Sequence, residues 1–157
     1  MAIPYSGFLN QSPHRSNTIL DMDRLEDIAQ KLCEIFEVYA PPVPIELMLR
    51  HPQENMWEEV DVNNLSGSFM SIKQRYSPRM SLARLLARHI VLSEWGEHHQ
   101  LSSLMNDEDL LNAFARMLIM PREMVIGLTS SMKNPKAMSN HFEVPESDAQ
   151  ERLIELA

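Results

Sequence analysis

The sequence is poor in cysteine and in long apolar runs. Cys33 is the only cysteine among 157 residues, so neither an intramolecular disulfide nor a site with several thiolate ligands can form. No stretch approaches the ~20 consecutive apolar residues of a membrane-spanning helix, and the first residues lack the basic start and apolar run of a secretion signal. These absences predict a protein of the reducing cytoplasm with no membrane partner.

Positive charge is also scarce. The 14 Lys and Arg residues stand against 22 Asp and Glu residues, which gives a formal net charge of -8. The field of such a protein repels phosphate backbones, which argues against nucleic acid as a partner. The sequence also contains no glycine-rich phosphate loop, nucleophile-elbow serine or Cys/His pair at metal-finger spacing.

Hydrophobic residues make up 44% of the chain, enough to form the core of one domain. Residues 1–20 mix Pro, Ser, Asn and Gly without a period and predict an irregular lead-in, so that a single domain spans residues 21–157. Apolar residues at helical spacing predict helices at Asp21–Tyr39, Ile45–Arg50, Pro78–Trp95, Glu108–Met120, Pro135–Phe142 and Glu146–Leu156. The last two would form a C-terminal helical pair within residues 135–157. Asn106 or Asp107 is expected to cap the helix at Glu108–Met120.

Two short segments favour β-structure instead. Met56–Val62 and Ser68–Lys73 are richer in β-branched and aromatic residues than the helices, and turn residues separate them. They predict a small antiparallel hairpin. The fold class expected from the whole pattern is therefore α+β, a mostly helical domain with a small antiparallel sheet.

Four segments carry a resemblance to a known family. They are a Pro-Pro-Val turn, an Arg-Met-Ser-Leu-Ala stretch, an Asn-Ala-Phe-Ala helix that ends in Met-Pro, and a Phe-Glu-Val-Pro segment ahead of an Arg-Leu pair. In the sequence they occupy residues 40–43, 79–83, 112–121 and 142–145, with the pair at 152–153. In order and spacing they resemble the ImmA/IrrE family of zinc-dependent peptidases, and the resemblance implies a metallopeptidase-like fold.

The departures from this family concern its zinc site. Where the resemblance places the H-E-x-x-H motif, the chain has Arg84, Leu85 and Arg88, and the third ligand falls on Leu110. A guanidinium group offers no lone pair to zinc, and leucine cannot transfer a proton. We therefore expect no metal, no cofactor and no hydrolysis by the family mechanism, as in a catalytically inactive pseudopeptidase.

Histidines near the altered motif leave an enzymatic alternative open. His89, His98 and His99 lie close in sequence to Glu94 and Glu97, and histidine with carboxylate is a common zinc ligand set. A zinc peptidase with relocated ligands is therefore the first rival hypothesis. Against it, His89 lies on an apolar stripe, where a histidine usually belongs to the core.

The helix that carries the two arginines predicts a candidate binding surface. Its apolar stripe, Leu82, Leu85, Leu86, His89, Ile90 and Leu92, is expected to face the core. The opposite side carries Arg84, Arg88, Val91 and Trp95, either as a surface that binds a partner or as packing against a neighbouring helix. Because the two like charges repel each other, we also expect a carboxylate counter-charge nearby, for which the candidates are Asp107, Glu108 and Asp109.

The sequence thus favours a regulatory, protein-binding pseudopeptidase, and the resemblance implies a helix-turn-helix repressor or mobile-element regulation as its context. The second rival is a DNA-associated transcription regulator that acts through the C-terminal helices. Its predicted recognition helix carries four acidic residues against Arg152 alone, which argues against phosphate contact. The partner's identity, the oligomeric state and the pathway stay open.

Overall fold

The structure is a computed structural model that describes residues 22–65 and 75–157. The first helix, α1, covers residues 22–35. The other α-helices are α2 (Ile45–Arg50), α3 (Ser77–Leu92), α4 (Glu94–His98), α5 (Glu108–Ile119), α6 (Arg122–Ile126), α7 (Pro135–Phe142) and α8 (Glu146–Glu155). Short 3-10 helices occur at Val62–Asn64, Ser102–Asn106 and Ser130–Met132. None of the helices in these ranges is long and apolar enough to cross a membrane.

Helices α3 and α5 form the centre of the core. Their extensive contact buries Leu86 and Ile90 of α3 with Phe114 and Met117 of α5, all of them fully excluded from solvent. Helix α8 packs on both α7 and α5, and α1 adds Leu25 and Leu32 to the same core. The C-terminal helices are therefore part of the single hydrophobic core.

The predicted α+β class with its small antiparallel sheet is wrong for the described part of the chain, which is helical and contains no strand. Residues 57–61 are irregular and lead into the 3-10 helix, while the second predicted strand, Ser68–Lys73, lies outside the described residues. The aromatic character of this segment serves packing instead. Trp57 is buried against Phe36 and donates its indole N–H to the carbonyl of Leu49, and Val60 donates its backbone N–H to that same carbonyl.

Helix α3 ends earlier than predicted. It stops at Leu92, and Ser93 caps α4 by accepting a hydrogen bond from the backbone N–H of Gly96 at 3.0 Å. Gly96 is thus inside α4, not at the end of α3. A Cβ atom at this position would overlap the carbonyl oxygen of Ile90, so α4 can pack this closely only because residue 96 is glycine.

Helix α5 begins as predicted. Asp107, one of the two caps expected from the sequence, accepts a hydrogen bond from the backbone N–H of Leu110 at 3.1 Å. Glu108 and Asp109 follow in the first turn, where negative charge is favoured by the helix dipole. The cap fixes the position of this acidic turn, which lies beside Arg88 of α3.

Arg79 ties the start of α3 to two other parts of the fold. Its guanidinium group donates to both carboxylate oxygens of Glu46 on α2 at 3.2 Å and to the carbonyl of Val43 at 2.9 Å. It also donates to the carbonyl of Glu143, just after α7, at 3.2 Å. The start of α3 is thereby held against both α2 and the turn between α7 and α8.

A buried ion pair fastens the last helix. Arg152 of α8 has no exposed surface and forms a two-pronged pair with Glu26 of α1, with N–O distances of 2.6 and 2.7 Å. Its Nε donates to the carbonyl of Met120, at the end of α5, at 2.9 Å. Glu155 of α8 accepts two hydrogen bonds from Arg116 of α5. Three helices are thus joined through one guanidinium group and its neighbours.

Removing Arg152 should destabilise the fold strongly. In Arg152→Ala, Glu26 stays buried without its partner, and we expect a loss of about 3–5 kcal/mol in the free energy of unfolding, measured by urea denaturation. The double change Glu26→Leu with Arg152→Met should recover most of this loss, because no charge is left buried.

Arg122→Ala is the matched control for that prediction. Arg122 also pairs with α1, but its partners Asp23 and Asp27 are largely exposed, so the expected loss is only about 0–1 kcal/mol. A loss in Arg152→Ala no larger than in Arg122→Ala would contradict a structural role for the buried pair.

Candidate functional site

Arg84 and Arg88 lie one turn apart on α3 and both reach the surface. Their side chains are 43% and 47% exposed. Leu85, between them, is half-buried against the core. The three residues at the positions where the resemblance places the H-E-x-x-H motif therefore share one patch, which combines two permanent cations with an apolar side chain.

Each arginine has a carboxylate partner. Arg88 donates to Glu108 at 3.0 Å, which confirms the counter-charge predicted at the start of α5. Arg84 pairs instead with Asp148 of α8, at a longer distance of 3.6 Å. The sequence did not predict this second partner, because nothing in the spacing places the start of α8 beside the middle of α3.

Leu110 does not share the patch of the arginines. It is half-buried near the start of α5, where a hollow of about 380 Å³ is lined by Leu110, Asp107, Asp109, Arg116 and Glu155, among others. Arg84 and Arg88 line a different hollow of about 360 Å³ with Ser81 and Leu85. The residues at the positions that the resemblance assigns to one zinc ion thus belong to two separate hollows.

Val91 and Trp95 do not extend the arginine surface. Val91 is 2% exposed and belongs to the core, as do Ala83 and Ala87 of the same helix. Trp95 lies in α4, beyond the end of α3, and stacks on His99 with ring centroids 3.9 Å apart. Leu92, predicted to face the core, is exposed instead. Small alanine side chains widen the buried face of α3 to about half its circumference, which the larger apolar residues alone did not indicate.

The histidines are separated by their local structure. His89 is half-buried, and burial lowers the pKa of its imidazole. His99 is held by a 2.8 Å contact between its Nδ1 and the carbonyl of Trp95, whereas His98 is exposed. Within residues 22–65 and 75–157, no three His, Cys, Asp or Glu side chains are close enough to hold a metal ion. The relocated zinc site finds no support among them.

A polar hollow adjoins the arginine patch. It has a volume of about 300 Å³ and lies between α3 and the start of α8. Arg84 and Ser81 line both this hollow and the one beside Arg88, so the two hollows adjoin at Arg84. The remaining wall is formed by Ser77, Met80, Pro145, Ser147 and Asp148. The result is a groove in which Arg84 is central, with serine hydroxyls and one carboxylate around it.

Asp148 is the one buried carboxylate of this groove. Burial raises the pKa of its side chain, and the nearby Glu151 and Glu155 act in the same direction, whereas Arg84 and Arg116 lower it in part. The ionised carboxylate is therefore not fully compensated by its arginine partners. Sequence reasoning missed Asp148 as a site residue, since in α8 it appeared as one acidic residue of a solvated face.

The surface of α8 is acidic. Arg152, the only cation in this helix, is buried, so the exposed side of α8 offers no positive charge to a phosphate. Glu146 and Glu151 are exposed there. Such a surface would repel a DNA backbone, and the helix is unsuited to lie in a groove of DNA.

Comparison with protein-family models, with curated proteins and with solved structures finds no match for this chain.

The raised pKa of Asp148 predicts a pH-dependent effect of Asp148→Asn. The folded-state pKa of Asp148 lies above its ordinary value of 3.8, so the protonated carboxyl group, present below about pH 3.8, favours the folded state. This contribution is lost as the pH rises through the folded-state pKa. The uncharged Asn lacks this cost of ionisation. We expect Asp148→Asn to raise the melting temperature at about pH 7, and the difference from the native protein to shrink toward about pH 4.

Glu146→Gln is the control for this comparison, because it removes the same charge from an exposed position in the first turn of the same helix. Thermal melts of both variants across this pH range separate the effect of burial at residue 148 from the effect of removing one negative charge. The role assigned to the burial of Asp148 is contradicted if the melting temperatures of both variants differ from that of the native protein with the same pH dependence.

Proposed function

We propose that this chain is a catalytically inactive, regulatory protein-binding module of the ImmA/IrrE type, a pseudopeptidase that binds an acidic or carboxylate-bearing peptide at the groove around Arg84 and Arg88. The observation that carries the proposal is the exposure of both guanidinium groups beside two adjoining hollows, in a chain of net charge -8. Arginine binds carboxylates with two parallel hydrogen bonds, which gives such a surface both charge and geometric selectivity.

The existing ion pairs leave these arginines available. Arg84 makes no hydrogen bond to the residues that the structure describes, and its contact with Asp148 is long. Arg88 has one partner, Glu108, whose side chain is 63% exposed. The exposed pair of Arg88 with Glu108 contributes only about 0–1 kcal/mol, so a ligand carboxylate can replace Glu108 at little cost. Arg84 faces Asp148 through one nitrogen at 3.6 Å, and its other donors are open to a ligand.

The absence of catalysis follows from the residue types. Arg84 and Arg88 cannot ligate a metal ion, and Leu85 cannot act as the general base at the position that the resemblance assigns to it. What this patch offers a peptide is charge pairing and a small apolar contact. These features support recognition without cleavage.

The resemblance also supplies the context of the proposal. It implies a helix-turn-helix repressor as the partner and regulation of a mobile element or a stress response as the role. We place this activity in the cytoplasm because Cys33, the only cysteine of the sequence, is buried and unpaired, so the fold uses no disulfide.

The probe for this function is a fluorescein-labelled Gly-Ser peptide that ends in two aspartates, titrated with protein in a fluorescence anisotropy assay. Arg84→Ala and Arg88→Ala should each weaken binding by about two- to fivefold, the effect of one partly exposed ion pair. Asp148→Asn should strengthen it, because the carboxylate that competes for Arg84 is then gone.

Arg50→Ala is the control, since it removes an equal charge from an exposed position on α2. Melting temperatures of all variants show whether a change in affinity follows from unfolding. The proposal fails if the acidic peptide binds no better than a neutral Gly-Ser peptide, or if Arg50→Ala weakens binding as much as Arg84→Ala does.

A further inference from the structure

The groove continues past Arg84 along the start of α8. A hollow of about 430 Å³ lies between α7 and α8, and it shares Pro145 and Ser147 with the hollow that contains Arg84. The cations of this second hollow are Arg75 and Lys136. The concave surface therefore has one cation in the hollow of Arg84 and two more in the adjoining hollow.

These cations come from three separate parts of the chain. Arg75 precedes α3, Arg84 lies within α3, and Lys136 lies in the first turn of α7. The fold brings them to one concave surface of a protein in which acidic residues outnumber basic ones by 22 to 14. Arg75 and Lys136 are both exposed, so a ligand can reach them without any rearrangement of the core.

The surface near these cations also carries polar side chains. Asn140 of α7 and Ser147 of α8 are exposed, and neither side chain has a hydrogen-bond partner among residues 22–65 and 75–157. An amide and a hydroxyl in such positions can bond the backbone of an extended peptide. Glu146 and Asp148 also line this surface, one in each hollow, so the three cations outnumber the two carboxylates.

From this arrangement we infer that the groove binds an extended peptide segment with acidic residues at two separated positions, one at Arg84 and the other at Arg75 and Lys136. This inference rests on the proposed function and deepens it by naming a second subsite. A single small anion would fill one hollow only, whereas a peptide can follow the shared wall of Pro145 and Ser147 from one hollow to the other.

Three labelled Gly-Ser peptides test the two subsites by fluorescence anisotropy with the full chain. One carries aspartates at both ends, one carries them at a single end, and one carries none. The two-ended peptide should bind more tightly than the one-ended peptide, because linking two binding groups makes the second contact intramolecular. Lys136→Ala should weaken the two-ended peptide by about two- to fivefold.

Lys133→Ala is the matched control. Lys133 is also exposed and is three residues away in sequence, but it does not line the groove. It should leave the affinity of the two-ended peptide unchanged. Arg75→Ala is a second variant of the far subsite and should act in the same direction as Lys136→Ala. Arg84→Ala and Lys136→Ala should each weaken the two-ended peptide more than the one-ended peptide, because a single acidic end can move to the subsite that is still intact.

The outcomes separate this inference from the proposed function. The proposed function stands and the second subsite is overturned under two joint results. Arg84→Ala abolishes binding of the one-ended peptide, and Lys136→Ala and Lys133→Ala have equal effects on the two-ended peptide. Failure of the native protein to bind either acidic peptide would overturn both. If a single-stranded oligonucleotide binds as tightly as the two-ended peptide, and Lys136→Ala weakens that binding, the groove binds nucleic acid and the proposal of a peptide ligand is overturned.

Discussion

The pair of Arg152 with Glu26 is the interaction on which the arrangement of the helices depends. A guanidinium group with no exposed surface must be compensated on every side, and here a carboxylate of α1 and the carbonyl at the end of α5 provide that compensation. A buried pair adds little net stability compared with apolar packing, but an incomplete pair is very costly. Helix α8 is therefore restricted to the one position that satisfies both partners.

The position of α8 in turn creates the groove. Asp148 lies one turn before Arg152 on the same helix, so the orientation that buries the arginine also directs Asp148 toward Arg84 of α3. Pro145 starts the helix and forms part of the wall shared by two hollows. Arg79 holds the start of α3 against the turn that precedes α8, which fixes the opposite wall. The surface that we propose to bind peptides is thus a consequence of structural contacts on both sides of it.

Most helices could be predicted from the sequence because their signals are local. Ile45–Arg50 was predicted with its exact bounds, and α5 with its Asp107 cap, since periodicity, caps and prolines act within a few residues. The sheet was predicted wrongly for a related reason. Aromatic and β-branched residues favour strands only where a partner strand is available, and Trp57 instead packs on Phe36.

The candidate site was predictable only in part. Arg84 and Arg88 were found from a resemblance, and the helical period placed them on one side of α3. Trp95 was misplaced because a serine cap ended the helix before it, and Val91 because small alanines widened the buried face. Asp148 and Arg152 were missed, since the burial of a charged residue depends on a partner distant in sequence. One signal was available: Arg152 follows Ala149 by three residues and precedes Leu156 by four, on what could be an apolar stripe.

The arginines of this chain differ in how many of their N–H donors are bonded within the fold, and that difference separates arginines that serve the structure from arginines that are open to a ligand. Arg152 and Arg79 each bond several backbone and carboxylate oxygens and are largely or fully excluded from solvent. Arg84 and Arg88 have one carboxylate each and nearly half of the side chain exposed. A guanidinium group carries five donors, so the first pair has few left for a ligand while the second pair has most of them. An acidic protein that keeps such cations on one concave surface has the charge and the open donors that recognition of carboxylates requires.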